Sequence, residues 1–160
     1  MRRTNGCLTL LVVNKSSYAS LNTAINLAGY VPSSSATVYS YGIPQDNAAH
    51  AGSGSMDIAE TNFTVTGTSF NYTFAPYSAT VLQLSPTAPS LVALPLQSSS
   101  GQFVSRLQGQ PGVPYRIQAS TNLASTNWIT ISTNTPATGA LNLTNTVSST
   151  AQFYRAVWQP

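Results

Sequence analysis

Charged side chains are scarce in this chain: Asp, Glu, Lys and Arg together make up 6% of its 160 residues, with three acids, six bases, one His and one Cys. Ordinary soluble domains carry about a quarter charged residues, so the polar surface here has to be built from Ser, Thr, Asn and Gln. A single cysteine, Cys7, excludes an intrachain disulfide, and without Cys or His partners it excludes a zinc site. Inside an apolar run, Cys7 reads as a small buried hydrophobe. The acids are Asp46, Asp57 and Glu60, and with His50 they all fall in Gly42 to Glu60. That stretch has no apolar period and contains the run Ala51-Gly52-Ser53-Gly54-Ser55, so a long loop is expected there. Glycoside hydrolysis needs two carboxylates held about 5 to 9.5 Å apart, which a loop does not provide. Asp46 and Asp57 with backbone carbonyls could at most form a weak calcium site. No G-x-S-x-G elbow and no complete nucleotide-binding glycine pattern occurs. The expectation is a protein without catalytic activity and without a cofactor.

Long apolar runs are missing as well. No stretch approaches the roughly 18 apolar residues of a membrane-spanning helix. Met1-Arg2-Arg3 followed by Cys7 to Val13 imitates a signal peptide, but the apolar run is short and passes directly into Asn14-Lys15 without a cleavage site, so it reads as a strand. A secreted protein would then take its export signal from a longer parent, or its start codon would lie elsewhere than Met1. The formal charge of +3 rests on bases scattered along the chain, and without clustering it gives no nucleic-acid surface.

What remains is rich in β-branched and aromatic residues, with ten Gly and ten Pro as punctuation. Cys7 to Val13 is almost continuously apolar, as expected for a central strand covered on both faces. Thr23 to Ala28 and Ala36 to Tyr41 read as further strands. Phe63 and Val65, a turn at Thr66-Gly67-Thr68, and alternating Phe70, Tyr72 and Phe74 read as a hairpin. Ala79 to Leu84 closes the first module. Pro86 to Pro89 then interrupts the pattern, giving modules at 1–85 and 91–160 joined by a linker at 86–90. Strands in the second are expected at Leu91 to Leu96, Gln102 to Leu107, Tyr115 to Ala119, Trp128 to Ser132, Leu141 to Val147 and Phe153 to Trp158. The fold class is all-β: two tandem antiparallel β-sandwich modules.

Residues 7 to 84 resemble the C-terminal β-sandwich that flanks the catalytic barrel of α-L-arabinofuranosidase-, xylanase- and cellulase-like glycoside hydrolases. The resemblance lies in Leu11-Val12-Val13-Asn14-Lys15, Ala36-Thr37-Val38-Tyr39 and the block from Phe70 to Leu84. Residues 91 to 160 resemble fibronectin type III-like modules at the C-termini of large secreted proteins of environmental, Verrucomicrobia-like bacteria. Here the shared signature is Gly112-x-x-Tyr115-Arg116-Ile117-Gln118-Ala119-Ser120-Thr121-Asn122-Leu123, then Trp128 and Phe153-Tyr154-Arg155. Together they imply a non-catalytic accessory segment of a secreted, extracellular or surface-held polysaccharide-degrading enzyme, partnered by a catalytic glycoside hydrolase domain or by polysaccharide. In such hydrolases a strand or two from before the barrel completes the sandwich. Without them the first module is expected to be incomplete, with an open edge able to pair in a homo-oligomer or self-assembling β protein.

The alternative function is direct carbohydrate binding, in which sugar rings stack on exposed aromatics. Tyr18 and Tyr30 beside turns, Tyr77 at the Pro76 corner and Trp158 near the terminus are the candidates, while Tyr115 and Trp128 are expected in the second core. Asn14-Lys15-Ser16, Asn62-Phe63-Thr64, Asn71-Tyr72-Thr73 and Asn142-Leu143-Thr144 match the N-glycosylation pattern, as Asn/Thr-rich sequence does by chance.

Overall fold

A computed structural model describes residues 6–95, 102–124, 126–146 and 151–159. The chain is all-β with antiparallel sheets and divides into two compact units, Met1–Pro86 and Thr87–Pro160. Leu96 and Val147, expected as strand ends, and Met1-Arg2-Arg3 lie outside the described residues.

The first unit runs β1 (Leu8–Asn14), β2 (Leu21–Asn26), β3 (Pro32–Tyr41), α1 (Ile43–Ala51), β4 (Ala59–Thr64), β5 (Ser69–Phe74) and β6 (Ser78–Pro86). One sheet has the order β1-β6-β3-β4 and the other contains β2 and β5. Side chains alternate across a strand, so each strand sends every second residue inward. Ala36, Val38, Leu82 and Leu84 meet Ile25, Phe70 and Phe74 in one core, closed by Tyr30 and Val65. Full burial of Leu82 and Leu84 contributes about 1.5–3 kcal/mol for each side chain.

Three expectations are corrected in this unit. The stretch from Gly42 is not a loop throughout, because Ile43–Ala51 is helical. Pro44 lies in the first turn, and the Gly42 N–H donates to Gln45 Oε1 at 2.9 Å. Gly52 ends the helix at φ 65°, its N–H bonded to the Ala48 carbonyl, a left-handed terminus that glycine adopts without Cβ strain. The expected hairpin around Gly67 is a crossing between layers: β4 pairs with β3, while β5 pairs with β2. Phe63 therefore meets Phe70 and Tyr72 through ring contacts, at 5.9 and 5.1 Å. Finally, β1 is an edge strand. Leu8, Leu10 and Val12 pack against the core, but Leu11 and Val13 are 61% and 54% exposed. Equal apolarity on both faces of β1 hid which face is covered.

The second unit contains β7 (Ser90–Ala93), β8 (Gln102–Gln108), β9 (Tyr115–Ser120), β10 (Ile129–Asn134), β11 (Ala140–Thr146) and β12 (Phe153–Trp158). They form two three-stranded sheets, β11-β8-β7 and β10-β9-β12. Leu107, Val113, Tyr115, Ile117 and Leu143 make the core. The Tyr115 hydroxyl accepts the Gln110 backbone N–H at 2.7 Å. A Cβ on Gly109 would lie 2.5 Å from the Tyr115 ring, so glycine is required there. Trp128 is corrected from a core residue to a half-buried one, with the Arg155 guanidinium 4.3 Å from its ring centroid. Thr130, Gln118 and Arg155 stand opposite one another across the three strands. Gln118 donates to Thr130 and accepts from Arg155 Nε, linking β10, β9 and β12.

Candidate functional site

The structure separates the four candidate aromatics into two pairs. Tyr30 is 3% exposed, and its hydroxyl donates to the Leu84 carbonyl at 2.6 Å, so it is a core residue and no sugar platform. Trp158 packs on the second core, edge-on to Tyr115 with ring centroids 5.7 Å apart. It is half-buried, so only part of its ring is open to solvent. Tyr18 and Tyr77, by contrast, are 89% and 58% exposed.

These two sit on loops tied together by Asn14, the polar residue that ends β1. Its buried amide donates to the carbonyls of Ala19 at 2.9 Å, Ala75 at 3.0 Å and Phe74 at 3.3 Å. Two amide hydrogens serve three acceptors, so one is shared, the 3.3 Å contact being the weakest. Asn14 Oδ1 accepts from the Ser16 N–H, and Ser16 Oγ accepts from the Ala19 N–H. The Tyr77 N–H donates to the Ser16 carbonyl at 2.8 Å. The loop carrying Tyr18 and the corner carrying Tyr77 are thus one hydrogen-bonded end of the unit. An amide so engaged is not available for glycosylation. Tyr77 also has φ 43°, the one left-handed non-glycine residue among those described. A bulky side chain in that region is a steric outlier.

Behind Tyr77 the β5–β6 corner meets the start of α1, with a groove of about 310 Å³ between them. Tyr41, Pro44, Tyr72, Thr73, Pro76 and Thr80 are among its lining residues. The Tyr41 hydroxyl donates to Asp46 Oδ1 at 3.0 Å. That hydrogen bond, then the Asp46 charge and some desolvation, raises the Tyr41 pKa above the ordinary phenol value. Burial raises that of Tyr72. Gly42 closes against this corner, since a Cβ there would lie 2.8 Å from the Tyr77 carbonyl.

A second feature is the outer face of the four-stranded sheet. Strand register sets Leu11 opposite Val81, Val81 opposite Tyr39 and Tyr39 opposite Glu60. The next row on that face is Val13, Ala79 and Tyr41. An antiparallel sheet facing water on one side normally alternates polar-out. This one carries two largely apolar and aromatic rows.

Asp46, Asp57 and Glu60 are all exposed. Asp46 is committed to Tyr41, and Asp57 lies in the short segment between α1 and β4. Among the described residues no group of three or more His, Cys, Asp or Glu could hold a metal ion. No helix of the described residues is long and apolar enough to cross a membrane. What the arrangement offers chemically is ring stacking, hydroxyl hydrogen bonding and apolar contact. No protein-family model matches the chain, and no curated protein is significantly similar to it.

Proposed function

We propose that the chain is a non-catalytic accessory segment of a secreted polysaccharide-degrading enzyme. In this reading the first unit packs through the outer face of its four-stranded sheet against a catalytic glycoside hydrolase domain, and the second unit spaces or anchors the assembly. The observation that carries the reading is the pair of rows Leu11-Val81-Tyr39 and Val13-Ala79-Tyr41, bordered on the same face by Glu60 and by the polar row Thr9-Gln83-Thr37. Contiguous exposed apolar surface of this kind marks interaction sites. The resemblance of residues 7 to 84 to sandwiches flanking catalytic barrels supports the choice of partner. The genomic sequence upstream of Met1 tests it: an uninterrupted reading frame encoding a barrel with two catalytic carboxylates is expected, and a stop codon directly upstream would overturn the parentage.

A second reading, direct glycan binding, is favoured by the clamp through Asn14 that brings Tyr18 and Tyr77 to one end of the unit. Exposed rings held on braced loops can stack on sugar faces. Retention of the chain on insoluble xylan, arabinan or cellulose, reduced in Tyr18→Ala and in Tyr77→Ala, is the expected result. Retention on none of them would remove this reading.

A further inference from the structure

The groove between α1 and the β5–β6 corner is distinct from the exposed rings of Tyr18 and Tyr77, and its chemistry is restrictive. We infer that it holds a single ring of a neutral saccharide, an inference that rests on the glycan-binding reading and gives it a defined subsite. The volume of about 310 Å³ stands at the lower end of the roughly 300–1,000 Å³ typical of small-molecule pockets, which suits one ring and not an extended ligand.

Charge excludes the other ligand classes. No Lys or Arg lines the groove, so an anion would find no cation. The helix start offers it little, because the N–H groups of Gln45 and Asp46 are bonded to the Gly42 carbonyl and Asp46 supplies negative charge in the first turn. A metal cation would find no carboxylate among the lining residues, and the nearby Asp46 is already hydrogen-bonded to Tyr41. A wholly apolar ligand would strip water from the Ser40, Thr73 and Thr80 hydroxyls without replacing it.

The hydrogen bonds then set the ligand's polarity. The Tyr41 proton is given to Asp46, and the Thr73 proton is given to Asn22 Oδ1 at 2.6 Å. With those protons committed, both oxygens meet a ligand as acceptors. At these two oxygens a ligand must bring donors, while the Ser40 and Thr80 hydroxyls can give or accept, and it must also offer apolar surface to the rings of Tyr41, Tyr72, Pro44 and Pro76. A sugar ring does both, its hydroxyls donating at the edge while its C–H face lies on the rings. The Tyr77 backbone, held at φ 43° directly beside Pro76 and Ser78 of the groove, is the kind of local strain that concentrates at ligand sites.

The test is a methyl NMR titration of the intact chain, labelled at Ile43, Ala59, Thr73 and Thr80, with xylotetraose, arabinotetraose, cellotetraose and their monosaccharides. At least one is expected to give saturable shifts confined to these methyls. Tyr41→Phe removes one acceptor from an exposed side chain, so the fold should persist while affinity falls about tenfold. Ala59→Leu fills the groove and should abolish the shifts. Three results would overturn the inference: no saccharide moving these methyls, shifts mapping elsewhere, or unchanged affinity in both variants. Silent groove methyls, with retention on polysaccharide still dependent on Tyr18 and Tyr77, would leave the glycan-binding reading standing and remove only the groove subsite.

Discussion

The backbone N–H of Tyr77 donates to the carbonyl of Ser16 at 2.8 Å, fixing the β5–β6 corner to the loop that follows β1. Asn14 braces the same junction from below with its amide on Ala19, Phe74 and Ala75. Residues about sixty positions apart in sequence are therefore one structural element, and the exposure of Tyr18 and Tyr77 depends on it.

Asn14→Ala removes both amide donors, leaving the Ala75 carbonyl its bond from Ser78 Oγ and the Ala19 carbonyl at an exposed residue. A loss of about 1–2 kcal/mol is expected in urea denaturation, from the lost hydrogen bonds of a buried side chain. Amide exchange at Tyr77 should accelerate in the same variant. Asn14→Asp should be worse at neutral pH, because a carboxylate would then face carbonyl oxygens. A loss below about 0.5 kcal/mol in Asn14→Ala would show that the loops hold together without the clamp.

Tyr77→Gly separates stability from function. Left-handed backbone costs a non-glycine residue about 1–2 kcal/mol, while glycine adds roughly 0.5–1 kcal/mol of unfolded-state entropy. The variant should be as stable as the parent, or more stable by up to about 1 kcal/mol. On the glycan-binding reading it should also lose retention on polysaccharide. A large destabilisation would mean that the ring packs rather than presents itself.

In the second unit, Tyr115→Phe leaves the Gln110 N–H without the Tyr115 oxygen it donates to at 2.7 Å. The expected cost is about 1–3 kcal/mol by thermal or urea unfolding. Gly109→Ala should be more severe, because the new methyl would have to occupy the Tyr115 ring. Its signature is loss of the dispersed NMR resonances of Ile117 and Leu143, which share that core.

The Tyr41–Asp46 contact predicts a pH response in the alkaline range. The Tyr41 pKa is raised in the folded chain by the Asp46 hydrogen bond, then by its charge and by desolvation. The folded state thus holds this proton more tightly than the unfolded chain. The resulting stabilisation is fully present below the unfolded phenol value of about 10 and is lost as pH rises through the higher folded value. Asp46→Asn should move the Tyr41 titration back down, read by ring-proton chemical shifts. An unchanged midpoint would show that the contact does not form in solution.

The aromatic alternation of Phe70, Tyr72 and Phe74 exposed β5 in the sequence because every second residue faces the core. The pairing of β5 was not legible. Local alternation says which face is buried and not which strand lies alongside, so β5 joins β2 instead of completing a hairpin with β4. The helix α1 was hidden because only Gln45 and Ala48 are buried on it, leaving no apolar stripe, although Pro44 and Gly52 mark its ends. Tyr18 and Tyr77 were legible as candidates from their positions beside a turn and at the Pro76 corner. Their exposure was not legible, because Tyr30 also flanks a turn and Trp158 lies near the terminus, and only the long-range partners Leu84 and Tyr115 bury the first in one core and set the second against the other. Asn14 carried a signal, a polar residue ending an apolar strand, but its partners are up to 61 residues away.

The proposed docking face carries Leu11 and Val13, and its proposed partner is a catalytic domain. The decisive measurement is light scattering of the chain mixed with a glycoside hydrolase barrel found in its reading frame and expressed separately. A one-to-one complex is expected, and it should be lost in Leu11→Lys/Val13→Lys, a variant whose own stability should change little at such exposed positions. Two separate monomeric species, a homodimer of the chain formed in place of the complex, or a complex indifferent to both lysines would contradict it.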